Sequence, residues 1–442
     1  MSNVLKVSVV SLGCPKNQVD AEMLVAKIRA SGMETVTDLE MADAVVVNTC
    51  GFIEDAKKES IAHILEAARL KKKSLKALVV TGCLAQRYKS EILAEIDEVN
   101  AVVGLSRNAD IAEIIRQTVG GERMATFDGG GLCQQGERVL STPFYTAYLR
   151  IADGCDNRCS YCAIPQIRGR YQSRPVEDIL EEAQSLAAGG VKELCVIAQD
   201  TTRYGQDLYK KLMLPELLEG LCEIKGIDWI RILYAYPDSV TDKLLSVMAR
   251  QKKILPYLDL PVQHANGEIL KAMNRRGDVK ELTALIGKIR GSVPGICLRT
   301  TLIVGFPGEK EEHFAELLDF VEQTEFDRLG CFTYSPEEGT PAAGFKWQIS
   351  EKMKASRQNK VMECQRRITA RKNRQKIGGI YDILTEGFDA PQALYRGRSA
   401  ADAPEIDGRV YFGSPDLCEP GKFARVKILD SNDYDLFGER IM

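Results

Sequence analysis

The chain has 442 residues, 45% hydrophobic and 27% charged, with a formal net charge of −3 at neutral pH. That length calls for about three domains, the mixture supplies ample material for buried cores, and the near-balanced charge excludes a global polycation built for nucleic acid. Thirteen cysteines, an odd number spread along a long chain, exclude a disulfide framework and point to a reducing compartment with metal or redox chemistry. Met1 to Lys6 shows no charged-then-apolar leader pattern, and no run of about 18 apolar residues exists to cross a bilayer, so a cytoplasmic enzyme is expected.

The first third alternates strand, loop and helix. Val4–Ser11 is an apolar, β-branched run, followed by a loop at Gly13–Gln18 and helical periodicity over Val19–Ala30. Strands are expected at Ala44–Val47, Ala77–Val80 and Ala101–Val103, with a helix over Phe52–Leu70 and another after the third strand. Near-continuous apolar strands alternating with helices predict a parallel sheet covered on both faces, over residues 1–120. Cys14, Cys50 and Cys83 each lie just past the carboxyl end of such a strand. Ligands of parallel sheets bind at that edge, so the topology makes a three-thiol site with an open position plausible. The alternative is buried cysteine acting as a small hydrophobe.

Residues 121–140, around Cys133, are Gly-rich and polar and read as a linker. Residues 141–376 then show six expected strands: Thr146–Ile151, Leu194–Ala198, Trp229–Ala235, Tyr257–Leu260, Ile296–Val304 and Gly330–Tyr334. Amphipathic helices such as Val176–Ala188 and Glu311–Gln323 lie between them. Six βα units predict a parallel partial barrel with its chemistry on loops at the strand carboxyl ends. The first strand runs into Cys155-Asp156-Asn157-Arg158-Cys159-Ser160-Tyr161-Cys162. Three thiols at C-x3-C-x2-C spacing lack a fourth, whereas a closed structural metal site takes four ligands. On a four-iron cluster, three thiolates leave one iron free. A zinc knuckle is the bland alternative, but no His and no second Cys pair stand in register.

Other strand ends carry polar or glycine positions suited to a cofactor: Gln199 and Asp200 after the second strand, and Ile303 and Gly305 at the fifth, where glycine lets backbone approach a ligand. His264, past the fourth strand, reads as a satisfied structural histidine. Ser350–Lys376 reads as a basic helix, opposed only by Glu351 and Glu363. From 377 to 442, five short strands between Gly and Pro turns predict a small antiparallel barrel similar to oligonucleotide-binding folds. From Gly378 onward it holds 7 cations and 12 anions. An acidic barrel is a poor nucleic-acid clamp but attracts a basic protein. Asp402, Glu405 and Asp407 are the acids expected to dock one.

With an aromatic residue before its last Cys, the C-x3-C-x2-C loop resembles the signature of the radical S-adenosylmethionine (SAM) enzymes. The whole chain resembles their methylthiotransferase branch, in which a three-cysteine domain precedes the radical SAM barrel and a small β-barrel called TRAM follows. That resemblance implies two [4Fe–4S] clusters, one held by Cys155, Cys159 and Cys162, the other by Cys14, Cys50 and Cys83, with Tyr161 near the adenine of SAM. Arg158, within Gly154–Gly169, fits the members that modify small-subunit ribosomal protein number twelve. There an aspartate β-carbon becomes 3-methylthioaspartate.

The implied chemistry uses SAM twice, as methyl donor to a sulfur on the auxiliary cluster and as source of a 5′-deoxyadenosyl radical that takes hydrogen from the β-carbon. The cofactors carry that chemistry, so no general acid or base is expected. An external one-electron reductant (flavodoxin-like) and a sulfur donor are implied partners. Nucleic acid is a secondary contact and a membrane is none. Two alternatives stand beside this reading: a tRNA adenosine methylthiotransferase with the same cofactors, and a non-catalytic iron–sulfur or RNA-binding protein.

Overall fold

A computed structural model describes residues 4–127 and 136–441. The first domain is a six-stranded parallel sheet of order β2-β1-β3-β4-β5-β6. Its strands are β1 (Lys6–Ser11), β2 (Glu34–Thr35), β3 (Ala44–Thr49), β4 (Ala77–Gly82), β5 (Ala101–Val103) and β6 (Met124–Thr126). Val45, Val47, Leu78, Val80 and Val102 pack on one face. Ala44, Val46, Ala77, Val79 and Ala101 pack on the other. Burial on both faces explains why these strands read as unbroken apolar runs.

Two expectations change here. The first helix begins at Pro15, inside the expected loop, because proline is preorganised for the first helical turn, where its missing N–H costs nothing. β6 lies inside the stretch expected to be linker and pairs in parallel with β5. Three residues of mixed polarity beside glycines carry too little pattern to be seen without the neighbouring strand. Cys133 lies outside the described residues. The backbone N–H groups of Val139 and Ser141 then donate to the carbonyl and carboxylate of Glu22, at 3.1 and 2.9 Å, tying this stretch to the first helix.

The second domain is an open six-stranded parallel sheet with helices outside. Its strands are β7 (Thr146–Arg150), β10 (Glu193–Ile197), β11 (Trp229–Ile232), β12 (Ile254–Asp259), β13 (Cys297–Val304) and β14 (Arg328–Thr333), paired in that order, while β8 (Ala152–Asp153) and β9 (Gln172–Ser173) form a two-stranded ribbon. Outward residues such as Leu149, Val196, Ile230 and Leu298 meet the helices in the main core. Inward residues alternate with them and include Arg150, Glu193, Arg231, Asp259 and Arg299, all charged. A 25-residue helix, Glu351–Gln375, leads to the third domain.

That domain is a closed barrel of order β15-β16-β17-β19-β18, from β15 (Ile380–Asp389), β16 (Leu394–Arg398), β17 (Val410–Gly413), β18 (Phe423–Ser431) and β19 (Leu436–Arg440). Four of its pairings are antiparallel; β17 with β19 is parallel. It docks on the amino ends of the central strands, away from the cysteine loops. Arg398 pairs with Glu193 at 2.6 Å, Asp402 with Arg328 at 2.5 Å, and Asp407 accepts from Tyr257 Oη at 2.7 Å.

These contacts overturn the role expected for two acids. Asp402 and Asp407 are buried domain glue, not a docking surface; Glu405 is exposed. Much of the basic helix is likewise spoken for. Arg357 pairs with Glu309, Arg366 with Asp433, Arg371 with Glu325 and Lys372 with Asp327. Sequence counts charges but does not show which face inward. Among the described residues, no helix is long and apolar enough to cross a membrane.

Glu193 joins two domains and tests this arrangement. Burial by itself would raise its pKa, but Arg398 and Arg231 hold the carboxyl down to about 2. Its stabilisation is therefore complete above the ordinary value of 4.5 and lost as pH falls towards 2. Glu193→Gln should cost about 3–5 kcal/mol at neutral pH, because two buried guanidiniums lose their counter-charge. Denaturant melts should show the gap to wild type narrowing across that acid window.

Candidate active site

Each cysteine of the first domain is next to a glycine that lets the loops close on one another. Gly13 has φ +92°, and a Cβ there would stand 2.7 Å from Cys50 Cβ. Gly82 has φ +95°, and a Cβ there would strike the backbone of Thr49; one on Gly51 would meet Leu84 N at 2.7 Å. The loops after β1, β3 and β4, neighbours in the sheet, thus bring Cys14, Cys50 and Cys83 to one edge. Asn17 locks them: its Nδ2 donates to the carbonyls of Leu12 (3.0 Å) and Thr49 (2.7 Å), while its Oδ1 faces Cys83 Sγ at 3.4 Å. Ser60 holds Cys50 by accepting from its N–H at 3.0 Å and donating to its carbonyl at 2.8 Å.

The second cysteine loop follows β7 and β8 at the carboxyl end of the central sheet. Gly154, at φ +74°, permits the turn into Cys155. Asn157 donates to Asp200 Oδ2 at 2.9 Å, and Ser160 donates through its N–H and hydroxyl to the carbonyls of Met273 (3.0 Å) and Ala272 (2.8 Å). Arg275 lies 4.1 Å over the Tyr236 ring with Nη1 3.9 Å from Cys159 Sγ.

The two loops meet. Cys83 packs against Ala163 and Ile167, directly after Cys162. Arg168, on the short helix that follows, donates to Asn17 Oδ1 (2.8 Å) and points Nη2 at Cys83 Sγ, 3.7 Å away. It also pairs with Asp20 at 2.7 Å and Asp153 at 2.8 Å, and Arg150 shares both acids. Lys16, two residues after Cys14, is buried with Nζ 2.9 Å over the Tyr234 ring, and burial pushes its pKa down to about 8. Arg87, from the helix starting at Cys83, bridges to Glu337 at 2.8 Å.

Both thiol sets fit iron–sulfur clusters. Burial pushes the thiols of Cys83 and Cys162 up to about 12 and Cys155 to about 11, so they give up their protons to a coordinated metal rather than to water. Among the described residues, no three His, Cys, Asp or Glu side chains converge as ligands of a single ion. In an iron–sulfur cluster each thiolate serves a different iron, and the donor set is the all-cysteine one such clusters take.

A cavity of about 720 Å³ lies between the domains, walled by Phe52 and Ile53 after Cys50, Tyr161 of the second loop, and Gln263 and Ile303 at the barrel strand ends. Two of the expected cofactor contacts, Tyr161 and Ile303, therefore line it. Gln263 Oε1 is buried without a hydrogen-bond partner, as is Gln199 Oε1, whose Nε2 donates to Asp153. Asp200 and Gly305 do not line it. Asp200 accepts from Asn157, Thr202 and the Arg203 backbone, so it braces the cysteine loop. Gly305, at φ +73°, is closed off by Lys354 and donates to Glu309 at 2.6 Å. His264 is buried, its Nδ1 accepting from Asn266 N–H at 3.0 Å, and burial pushes its pKa down to about 3, so it stays neutral. Gln263, just past the fourth expected strand, is among the polar strand ends that the sequence offers, whereas sequence reasoning missed Asn17, Lys16, Arg168 and Arg275. Arg168 sat inside the Gly154–Gly169 motif, but its partners Asn17 and Asp20 lie 151 and 148 residues away.

The Uncharacterized protein family UPF0004 matches residues 6–104, the Radical SAM superfamily residues 149–321 and the TRAM domain residues 377–441. The chain is 49% identical over 442 residues to the ribosomal protein uS12 methylthiotransferase RimO of Pelotomaculum thermopropionicum, covering 99% of this chain and 100% of the relative. It is 48% identical over 445 residues to the protein of the same name from Acetivibrio thermocellus, covering 99% and 98%. Among solved structures it is similar in fold to the radical SAM methyltransferase TsrM of Kitasatospora setae, with a TM-score of 0.58 and 15% identity over 77% of each chain.

The glycine-mediated closure makes a prediction. Gly13→Ala places a Cβ against Cys50 in a left-handed conformation and should cost about 1–3 kcal/mol. Thermal melts should show the loss, and Cys50 should alkylate faster than in wild type.

Proposed function

The chain belongs to the RimO family of ribosomal protein methylthiotransferases within the radical SAM superfamily, and on that footing we propose that it adds a methylthio group to the β-carbon of an aspartate in small-subunit ribosomal protein number twelve. The observation that carries the reading is the meeting of two three-thiol loops across one domain boundary, with Cys83 packed against Ala163, the residue after Cys162. Cys155, Cys159 and Cys162 hold one [4Fe–4S] cluster, and Cys14, Cys50 and Cys83 hold a second. When bound, these groups and SAM supply reductive cleavage to a 5′-deoxyadenosyl radical on one side and the transferable sulfur on the other.

The chain's own part is placement and exclusion of water. Tyr161 and Ile303 wall the cavity between the domains, and the partnerless carbonyl oxygens of Gln263 and Gln199 are acceptors left for ligand groups. Arg168, through Asp20, Asp153 and Asn17, fixes the spacing of the two loops. An external one-electron reductant and a sulfur donor complete the system, which works in the cytoplasm, where ribosomes are.

Anaerobic reconstitution with SAM and reductant, then mass analysis of the ribosomal protein and of tRNA, tests the function. A methylthio gain on the protein is expected; a gain on tRNA alone overturns it. Reconstituted protein should hold about eight irons, and a Cys155/Cys159/Cys162→Ala variant about four. A Cys14/Cys50/Cys83→Ala variant should still split SAM yet form no methylthio product. Wild-type product from that variant would remove the first-domain thiols from the sulfur-bearing role.

A further inference from the structure

The second cysteine loop has two faces. Tyr161 lines the inter-domain cavity. Asp156 and Asn157 instead line a surface concavity of about 520 Å³, shared with Tyr236, Lys271 and Arg276. A neighbouring concavity, lined by Arg170 and Lys210, shares Asp156, Arg203 and Gln206 with it, so the two form one surface. In a chain of net charge −3, this surface is cationic: Arg170, Arg203, Lys210, Lys271, Arg275 and Arg276 outnumber its acids, Asp156, Asp207 and the exposed Asp238. Asp156 is occupied by Arg170 at 2.7 Å, and Asp207 accepts from Ser173 N–H and hydroxyl at 2.9 and 2.5 Å. Arg203 stands 3.9 Å from buried Asp200. Exposed Lys271, Arg276 and Arg158 carry no ion pair among the described residues.

Resting on the proposed function, we infer that this surface docks the reductant, an acidic flavodoxin-type carrier protein. The reaction takes one electron from outside: the carrier is oxidised by one electron and the group held by Cys155, Cys159 and Cys162 is reduced by one. The inter-domain cavity shares no lining residue with this surface, so carrier and ribosomal protein need not compete for one opening. Charge complementarity selects an anionic partner and speeds its encounter. Arg275, stacked on Tyr236 and directed at Cys159, lies directly beneath.

The test uses the full holoenzyme and reduced flavodoxin. Lys271→Glu with Arg276→Glu should weaken flavodoxin binding about tenfold at low ionic strength, with the difference fading in high salt. Flavodoxin-driven SAM cleavage should show a raised KM for flavodoxin and an unchanged kcat, while dithionite-driven cleavage stays at the wild-type rate. Lys271→Gln with Arg276→Gln should give a smaller loss in the same direction. Unchanged flavodoxin affinity overturns the docking site. An equal loss with dithionite also overturns it, since the residues would then serve the cluster and not a partner. Failure of wild-type protein to cleave SAM with dithionite would strike the proposed function instead, so the two failures are separable.

Discussion

An open parallel sheet cannot close its own lumen, and here that lumen is lined with charge. Arg150, Glu193, Arg231, Asp259 and Arg299 point inward from successive strands, and a buried charge without a partner is costly. Arg231 pairs with Glu193 and Arg299 with Asp259 inside the lumen, and further partners come from the other domains. At the carboxyl end, Asp20 of the first helix accepts Arg150 and Arg168. At the amino end, Arg398 meets Glu193, and Asp407 lies 3.6 Å from Arg299. The polar lumen thus makes each flanking domain a necessary wall.

That constraint sets the chemistry. Asp20 lies one and a half turns from Cys14 on the same helix, so the ion pairs that seat the helix also seat the first cysteine loop against the second. Apolar packing finishes the fit, with Val19 and Met23 of that helix sharing a cluster with Tyr148, Ile197 and Leu233 of the lumen, joined by Leu384 and Ala403 of the third domain. One core therefore spans three domains, and the distance between the thiol sets is not free to drift. The third domain, held at the far end, is an amino-end plug that turns Asp402 and Asp407 inward while Asp382, Glu405, Asp416, Glu419, Asp430 and Glu439 stay exposed.

Much was legible in the sequence because it depends on local pattern. Apolar runs gave the parallel strands, the C-x3-C-x2-C spacing gave one thiol set, and equivalent strand ends gave the other. The 25-residue basic helix and the five short strands were likewise visible by period and turn chemistry. What failed were roles set by a distant partner. Asp402 and Asp407 carry the same charge whether they face water or Arg328 and Tyr257. Gly305 has the same freedom whether it admits a ligand or the Lys354 side chain.

The sequence by itself determined the longer strands and helices, the three-domain division and which six cysteines stand at strand ends, since strand period, glycine placement and thiol spacing are properties of adjacent residues. Only the tertiary structure decided that the two thiol loops meet through Cys83 and Ala163, that Arg168 ties them, and that a cavity and a cationic surface are lined by different residues of one loop. Those facts rest on contacts between residues far apart in the chain, and burial of charge, which selects among such contacts, is a property of the folded interior.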